Sequence, residues 1–310
     1  MERSSSEGAS ALLALSNDLA GAVERASRSV VAVHARPRLP SSGVHWRPGV
    51  IVTADHTVTR DEEISIGLPD GRTIAAVLAG RDASTDLAVL KLQEAEFPAA
   101  DIGDAASLRI GHVVLAVARP GERGVSASWG VISALDGPWR TWHGGQIDRF
   151  IRPDVSLYPG FSGGPLVDAQ GQVMGINTSG PRSMVLTIPP ATVNRVMGQL
   201  LEKGHITRGY LGLGMQSVRL PESLNRTLTP PRAGGVIIVA VEPDSPAERA
   251  GLLIGDVLVA LDGVAVTDTA DVQALLGPER VGAALGASII RAGTLTERSI
   301  LIGQRPQRRK

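Results

Sequence analysis

The sequence predicts a mostly β chain in two parts, an all-β barrel or sandwich followed by a smaller mixed α/β domain. Three observations carry this reading. Between residues 29 and 188, short apolar runs recur with turn residues about every ten positions. A single helical pattern closes that region. Beyond it the chain returns to strand-like runs, now interleaved with two short helical patterns.

In chain order, the first pattern is helical. Leu12, Leu15, Leu19, Ala22, Val23 and Ala26 recur at three- and four-residue steps and form one apolar stripe. Asp18 and Glu24 make it a poor lipid-seeking face, so the stripe reads as a packed N-terminal helix rather than an anchor. Strands are expected at 30–33, 50–53, 64–68, 87–92, 113–117, 130–135, 173–176 and 184–188. Pro189 and Pro190 then stand at a helix start, and Val193, Val196, Met197, Leu200 and Leu201 follow at helical spacing, with Gly204 as the stop. The second domain is expected to hold strands at 210–215, 235–241, 257–261, 287–291 and 298–302, with helices at 245–250 and 269–276. Residues 305–310 form a basic, solvated tail.

Composition narrows the function. A chain of 310 residues has room for two ordinary domains, and 43% apolar with 20% charged residues is a globular composition. Lys plus Arg equals Asp plus Glu at 31 each, so no global field attracts nucleic acid or anionic lipid. Zero cysteines removes disulfides, thiolate metal sites and cysteine nucleophiles. The sequence shows no apolar run long enough to span a membrane, and Met-Glu-Arg-Ser-Ser-Ser-Glu at 1–7 lacks the basic-then-apolar order of an export signal.

The most informative stretch is Pro-Gly-Phe-Ser-Gly-Gly-Pro-Leu-Val at 159–167. Small residues around Ser162 let the backbone turn sharply and aim its N–H groups at one point, as an acyl-transfer nucleophile requires. The N–H groups of Gly160 and Ser162 are the expected oxyanion donors. A serine nucleophile also needs a base and a group that orients the base. His56 ends the run that starts at Val50, and Asp86 opens the run 87–92, where a carboxylate can meet the imidazole Nδ1–H. The order His56, Asp86, Ser162 is the chymotrypsin order, and barrels of short strands are its scaffold. An α/β-hydrolase elbow would need the order Ser, Asp, His and a helix directly after the serine, whereas a turn at 168–171 and a strand follow here. His34, His45, His112, His143 and His205 lack such a context, and no ligand spacing suggests a metal.

These residues carry a family resemblance. Thr-x-x-His-x-Val at 53–58, Thr-Asp-Leu-Ala-Val-Leu-Lys at 85–91 and Gly-x-Ser-Gly-Gly-Pro-Leu at 160–166 resemble the corresponding blocks of the HtrA/Deg trypsin-like serine proteases. The resemblance extends over the blocks 42–58, 82–92, 116–121, 130–135, 159–178 and 209–213. The resemblance implies a two-barrel chymotrypsin-like protease domain followed by an α/β PDZ domain, with His56, Asp86 and Ser162 as the triad. It divides the chain into a helical segment at 1–28, a protease domain at 29–204, a PDZ domain at 205–304 and the tail at 305–310. It implies hydrolysis of misfolded or unstructured polypeptides with no metal or organic cofactor, and a homotrimeric assembly. Against the trimer, residues 1–40 contain none of the aromatic residues that commonly hold such trimers together.

A PDZ domain adds an extended C-terminus to a sheet edge while backbone N–H groups capture the terminal carboxylate. Tyr210, Leu211, Gly212 and Leu213 resemble that carboxylate loop, and the segments at 234–238, 245–252 and 255–263 resemble the rest of the pattern. In the protease fold the residue six positions before the nucleophile sits at the base of the primary specificity pocket. Here it is Ser156, with no acid to pair Lys or Arg, so cleavage after small or medium aliphatic residues is expected.

Three departures stand out. Phe161 replaces the usual Asn and is expected to disturb the oxyanion loop or narrow the cleft. Asp55 replaces an Asn before His56, where a second carboxylate would favour protonated imidazole. The segment at 116–121 lacks the usual Gly-Asn before Pro120. On these grounds the competing expectation is a catalytically weak protease-shaped adaptor or chaperone that binds polypeptide C-termini. The absence of an export signal places the chain in the cytoplasm, or in the periplasm if a leading segment was removed.

Overall fold

A computed structural model of the chain describes residues 3–93, 96–121, 124–141, 144–180, 184–206, 209–225, 234–277 and 280–304. His143 and the basic tail lie outside them. The chain divides into two compact units, Met1–Ile206 and Thr207–Lys310.

In the first unit, helix α1 (Arg3–Ser27) precedes six strands: β1 (Val30–His34), β2 (Ser41–Arg47), β3 (Val50–Thr53), β4 (Ile64–Gly67), β5 (Thr73–Asp82) and β6 (Leu87–Leu92). They close into a barrel in the order β1-β2-β3-β6-β5-β4, every neighbour antiparallel. Next come β7 (Val113–Ala118), β8 (Ser126–Asp136), the small hairpin β9 (Trp139–Arg140) and β10 (Gln146–Ile147), β11 (Phe150–Asp154), β12 (Pro165–Asp168), β13 (Val173–Ser179) and β14 (Val185–Ile188). Here the sheet order is β11-β8-β7-β12-β13-β14, and β11 meets β14, so the sheet curls into a second barrel. Helix α2 (Pro190–Lys203) starts on Pro190 and stops at Gly204, whose φ of 74° makes the left-handed cap. The unit is therefore the two-barrel protease fold expected from the sequence.

The continuous apolar runs have a physical cause. Successive strand residues face opposite sides. Ile51, Ala88 and Leu90 fill the first barrel, whereas Val52, Leu87 and Val89 face a second core shared with α1, α2 and the second barrel. On β7, Val114 and Ala116 fill the second barrel while Leu115 and Val117 join the shared core. Strands buried on both faces show no alternation, and each fully buried Leu, Ile or Val contributes about 1.5–3 kcal/mol. The α1 stripe divides: Ala22 and Ala26 are buried in the shared core, while Leu12 is 70% and Leu15 46% exposed. Sequence periodicity leaves out β2, β5, β11 and β12. In β2 the buried positions include Ser41, Ser42 and His45, and in β5 Ala and Gly dilute the strand signal.

His45 shows what a buried histidine does in this fold. It stacks on Phe97 with ring centroids 4.1 Å apart, Nδ1 lies 3.1 Å from the Pro98 carbonyl, and Nε2 accepts the Gly49 N–H at 3.2 Å. Burial lowers its pKa, the Pro98 and Phe97 carbonyls opposing. The folded state thus holds the neutral ring while the unfolded chain takes up a proton near about pH 6.5. This contribution to stability is complete above that pH and declines below it, by at most about 1.4 kcal/mol per pH unit. Thermal melts from pH 7.5 to 5 are expected to show a shallower decline for His45→Gln than for the wild type. Equal slopes would remove His45 as the cause.

The second unit contains β15 (Gly209–Tyr210), β16 (Leu213–Arg219), α3 (Glu222–Asn225), β17 (Gly234–Val241), α4 (Pro246–Arg249), β18 (Val257–Leu261), β19 (Val264–Ala265), α5 (Thr269–Ala274), β20 (Ala284–Arg291), β21 (Thr294–Leu301) and β22 (Gly303–Gln304). Its main sheet runs β16-β17-β18-β20-β21, so β16 is an edge strand, and α5 lies against it. Helices α4 and α5 start on side-chain caps. Ser245 accepts the Glu248 N–H before α4, and Asp268 accepts those of Ala270 and Asp271 before α5. Leu211, Ile238, Leu258, Val272, Ile289 and Ile300 are buried in its core.

Candidate active site

The site is assembled where the two barrels meet. His56 follows β3 in a single 3₁₀ turn (Asp55–Thr57), and Asp86 ends the turn before β6. That turn is fixed by Asp82, which accepts from the Ser84 hydroxyl at 2.9 Å and from the Thr85 hydroxyl at 2.7 Å. Asp86 itself has φ of 55°, a left-handed conformation that aspartate tolerates better than most residues.

From this position Asp86 grips the histidine turn at several points. Its carbonyl accepts the Asp55 N–H at 3.2 Å, Oδ1 accepts the His56 N–H at 2.8 Å, and Oδ2 lies 2.8 Å from His56 Nδ1. An ionised carboxylate only accepts, so Nδ1 carries the ring proton and the Nε2 lone pair is free. The imidazole is 41% exposed, as a group that must meet a substrate has to be. Thr178 on β13 also donates its hydroxyl to Asp86 Oδ2. Residue-by-residue reasoning did not single out Thr178. Its signal is the β13 segment Gly-Ile-Asn-Thr, which returns to the serine loop.

Ser162 lies in a loop wedged between the barrels. A Cβ on Gly163 would stand 2.3 Å from the Ser42 carbonyl and from Thr53 Oγ1, and one on Gly164 would stand 2.3 Å from the Val117 carbonyl. Only glycine allows this double approach, which brings the serine loop against the end of β3 that carries His56. Pro159 and Gly160 occupy the centre of a turn closed by the Phe161 N–H on the Tyr158 carbonyl at 3.0 Å, and Gly160 has the positive φ, 92°, that a type II turn demands. Phe161, Gly163 and Gly164 all spend their N–H groups on internal carbonyls. Among the described residues, the N–H groups of Gly160 and Ser162 do not. The two expected oxyanion donors are therefore unengaged beside a serine hydroxyl that makes no hydrogen bond among the described residues.

Two of the departures resolve differently from expectation. Phe161 does not enter the cleft as a bulky obstruction. It is 2% exposed, sits in the core of the second barrel and meets Tyr158 edge-on. Asp55 turns to Arg81, whose Nε lies 2.5 Å from Oδ1, and not to His56. Burial pushes the Asp55 carboxyl up while the Arg81 guanidinium holds it down. In the third departure, Arg119 before Pro120 donates from Nε to the Val30 carbonyl at 2.8 Å and from a terminal nitrogen to the Ser27 carbonyl at 3.2 Å.

Ser156 is exposed on the connection from β11 to the serine loop, and its carbonyl accepts from Ser128 Oγ at 2.6 Å. In the second unit, Leu211 and Gly212 turn their carbonyls to the Ala247 and Glu242 N–H groups at 2.9 and 2.8 Å. Their own N–H groups are unused among the described residues, and Gly212 has φ of 79°. Tyr210 donates its hydroxyl to Glu242. Leu213 opens the edge strand β16.

Residues 41–176 match the family model described as a trypsin-like peptidase domain, and residues 237–281 match that of a PDZ domain. A probable periplasmic serine endoprotease, DegP-like, from Halomonas elongata is 33% identical over 281 residues, covering 89% of this chain and 58% of the relative. Its counterpart in Pseudomonas putida is 33% identical over 264 residues, covering 83% and 54%. The chain thus spans little more than half the length of these relatives. Among solved structures, an HtrA-type protease, AlgW, with a decapeptide superposes with a TM-score of 0.77 at 30% identity, covering 93% of this chain and 99% of that one. The serine endoprotease from Yersinia pestis gives 0.75 at 31% identity, covering 92% and 97%.

Proposed function

Because the chain belongs to the HtrA family of trypsin-like serine proteases that carry a C-terminal PDZ domain, we propose that it is an endopeptidase for unfolded polypeptides. The carrying observation is the Asp86–His56 pair beside a serine loop with two unengaged N–H donors. Ser162 Oγ attacks the scissile carbonyl carbon as its proton passes to His56 Nε2. The carbonyl oxygen, now an anion, takes hydrogen bonds from the Gly160 and Ser162 N–H groups. Collapse of the tetrahedral adduct breaks the C–N bond, and the leaving amine takes the proton from His56. Water, deprotonated by the same imidazole, then hydrolyses the acyl-enzyme. Asp86 stays ionised and steadies the imidazolium, with Thr178 steadying Asp86. Side chains and backbone carry every step in this reading, without a metal or organic cofactor.

Ser156 offers no charge to a Lys or Arg side chain, which supports cleavage after small or medium aliphatic residues. The edge strand β16 and the loop from Tyr210 to Leu213 support capture of polypeptide C-termini at the second unit, for recruitment or regulation. A homotrimer belongs to the same reading. The relatives are named as periplasmic proteins, which supports the periplasm as the compartment, and no described helix is long and apolar enough to cross a membrane. The adaptor alternative drew on Phe161 and Asp55, and the positions of both, in the barrel core and on Arg81, give it no support.

Digestion of reduced casein, with the new termini sequenced, tests the reading. Cuts are expected mainly after Ala, Val, Leu and Ile. Absence of digestion, even with hydrophobic C-terminal peptides added, would overturn the endopeptidase reading, and a dominant preference for Lys or Arg would overturn the pocket.

A further inference from the structure

The two oxyanion donors belong to residues whose carbonyls are both held by one other residue. Ser42, on β2 of the first barrel, is fully buried. Its hydroxyl donates to the Gly160 carbonyl at 2.7 Å, and its backbone N–H donates to the Ser162 carbonyl at 3.2 Å. A serine hydroxyl has a single proton. That proton has one direction here, because the same oxygen accepts the Arg119 N–H at 2.9 Å. The Ser42 carbonyl in turn accepts from Thr53 Oγ1 at 2.7 Å, just before the turn that bears His56.

We infer that Ser42 is the positioning residue of the oxyanion hole, clamping the carbonyls of Gly160 and Ser162 so that their N–H groups stay aimed at the reacting oxygen. This inference rests on the endopeptidase reading and deepens it. Peptide planes are rigid, so the orientation of a carbonyl limits how its neighbours in a tight turn can rotate. Without the hydroxyl, the Gly160 carbonyl loses its protein donor. Glycine at positive φ has little steric resistance to a rotation of the loop that spoils the hole. Preorganised donors act on the transition state far more than on the bound substrate, so the loss should fall on kcat.

The neighbouring serine supplies the control. Ser41 is equally buried on the same strand, but its hydroxyl has no hydrogen-bond partner among the described residues. Ser42→Ala, Ser41→Ala and Ser42→Cys are compared in the full chain. The substrate is a peptide spanning a casein cleavage site, and the probe is the matching peptidyl boronic acid, whose adduct on Ser162 is tetrahedral. Ser42→Ala is expected to lower kcat about 10- to 100-fold with KM within about two-fold, and to weaken the boronate by a similar factor. Ser41→Ala is expected to match the wild type. Ser42→Cys keeps the shape but offers only a weak thiol donor, and is expected to fall between them; it carries the test if the alanine variant fails to fold. Wild-type kcat in a folded Ser42→Ala or Ser42→Cys variant, or equal losses in Ser41→Ala, overturns the clamp alone. A wild type that cleaves nothing overturns the protease reading and the clamp together.

Discussion

Ser162→Ala is expected to lower kcat/KM for peptide hydrolysis by about a million-fold, leaving casein undigested. The reason is the loss of the only atom that attacks. His56 and the unengaged N–H groups of Gly160 and Ser162 remain, but an oxyanion hole without a nucleophile accelerates only the slow attack of water. Stability should barely move, because the Ser162 hydroxyl makes no hydrogen bond among the described residues. A melting temperature within about 2 °C of the wild type, alongside the lost activity, would separate chemistry from folding. The expectation fails if the variant retains digestion within ten-fold of the wild type, since a second nucleophile would then be at work. Loss of labelling by a fluorophosphonate checks the same residue without a substrate.

Asp86→Asn carries the next largest effect, a fall in kcat of about ten-thousand-fold with KM nearly unchanged. Its cause is visible in the donors around the carboxylate. Oδ1 meets the His56 N–H, while Oδ2 meets His56 Nδ1 and the Thr178 hydroxyl. An amide nitrogen at the first position faces another donor. At the second it drives the proton from Nδ1 to Nε2, which removes the base. Either arrangement disables proton transfer while the serine loop stays as it is. Steady-state kinetics at pH 8 would measure the effect. A loss below ten-fold would assign Asp86 a merely structural role.

Much of this site can be read in the chain, and the reason is steric. Gly163 and Gly164 leave a local mark because backbone approaches of 2.3 Å to a would-be Cβ exclude every other residue, and Gly160 leaves one because its φ of 92° strains any other side chain. His56 and Asp86 are marked by the buried strands beside them. Partners joined across the fold leave no such mark. Thr178 lies 92 positions from Asp86, and Ser42 lies 118 from Gly160. Arg81 lies 26 from Asp55, so the sequence sets Asp55 beside His56 while the fold turns its carboxylate to Arg81. Phe161 misleads in the same way. Its place beside the nucleophile implies the cleft, whereas its ring is buried in the core of the second barrel. Strand β2 escapes detection because a buried strand with two serines and a histidine does not look apolar. Of these, Ser42 holds the serine loop and His45 stacks on Phe97.

The wedged serine loop also determines what a cut chain can do. His56, Asp86 and Ser42 stand before the connection between β6 and β7, and Gly160, Ser162 and Thr178 after it. Neither half owns a base, a nucleophile and an anion hole. A chain split in that connection is two inert pieces whose chemistry returns only when they meet, so each half could be fused to one member of an interacting pair and turnover would report the encounter.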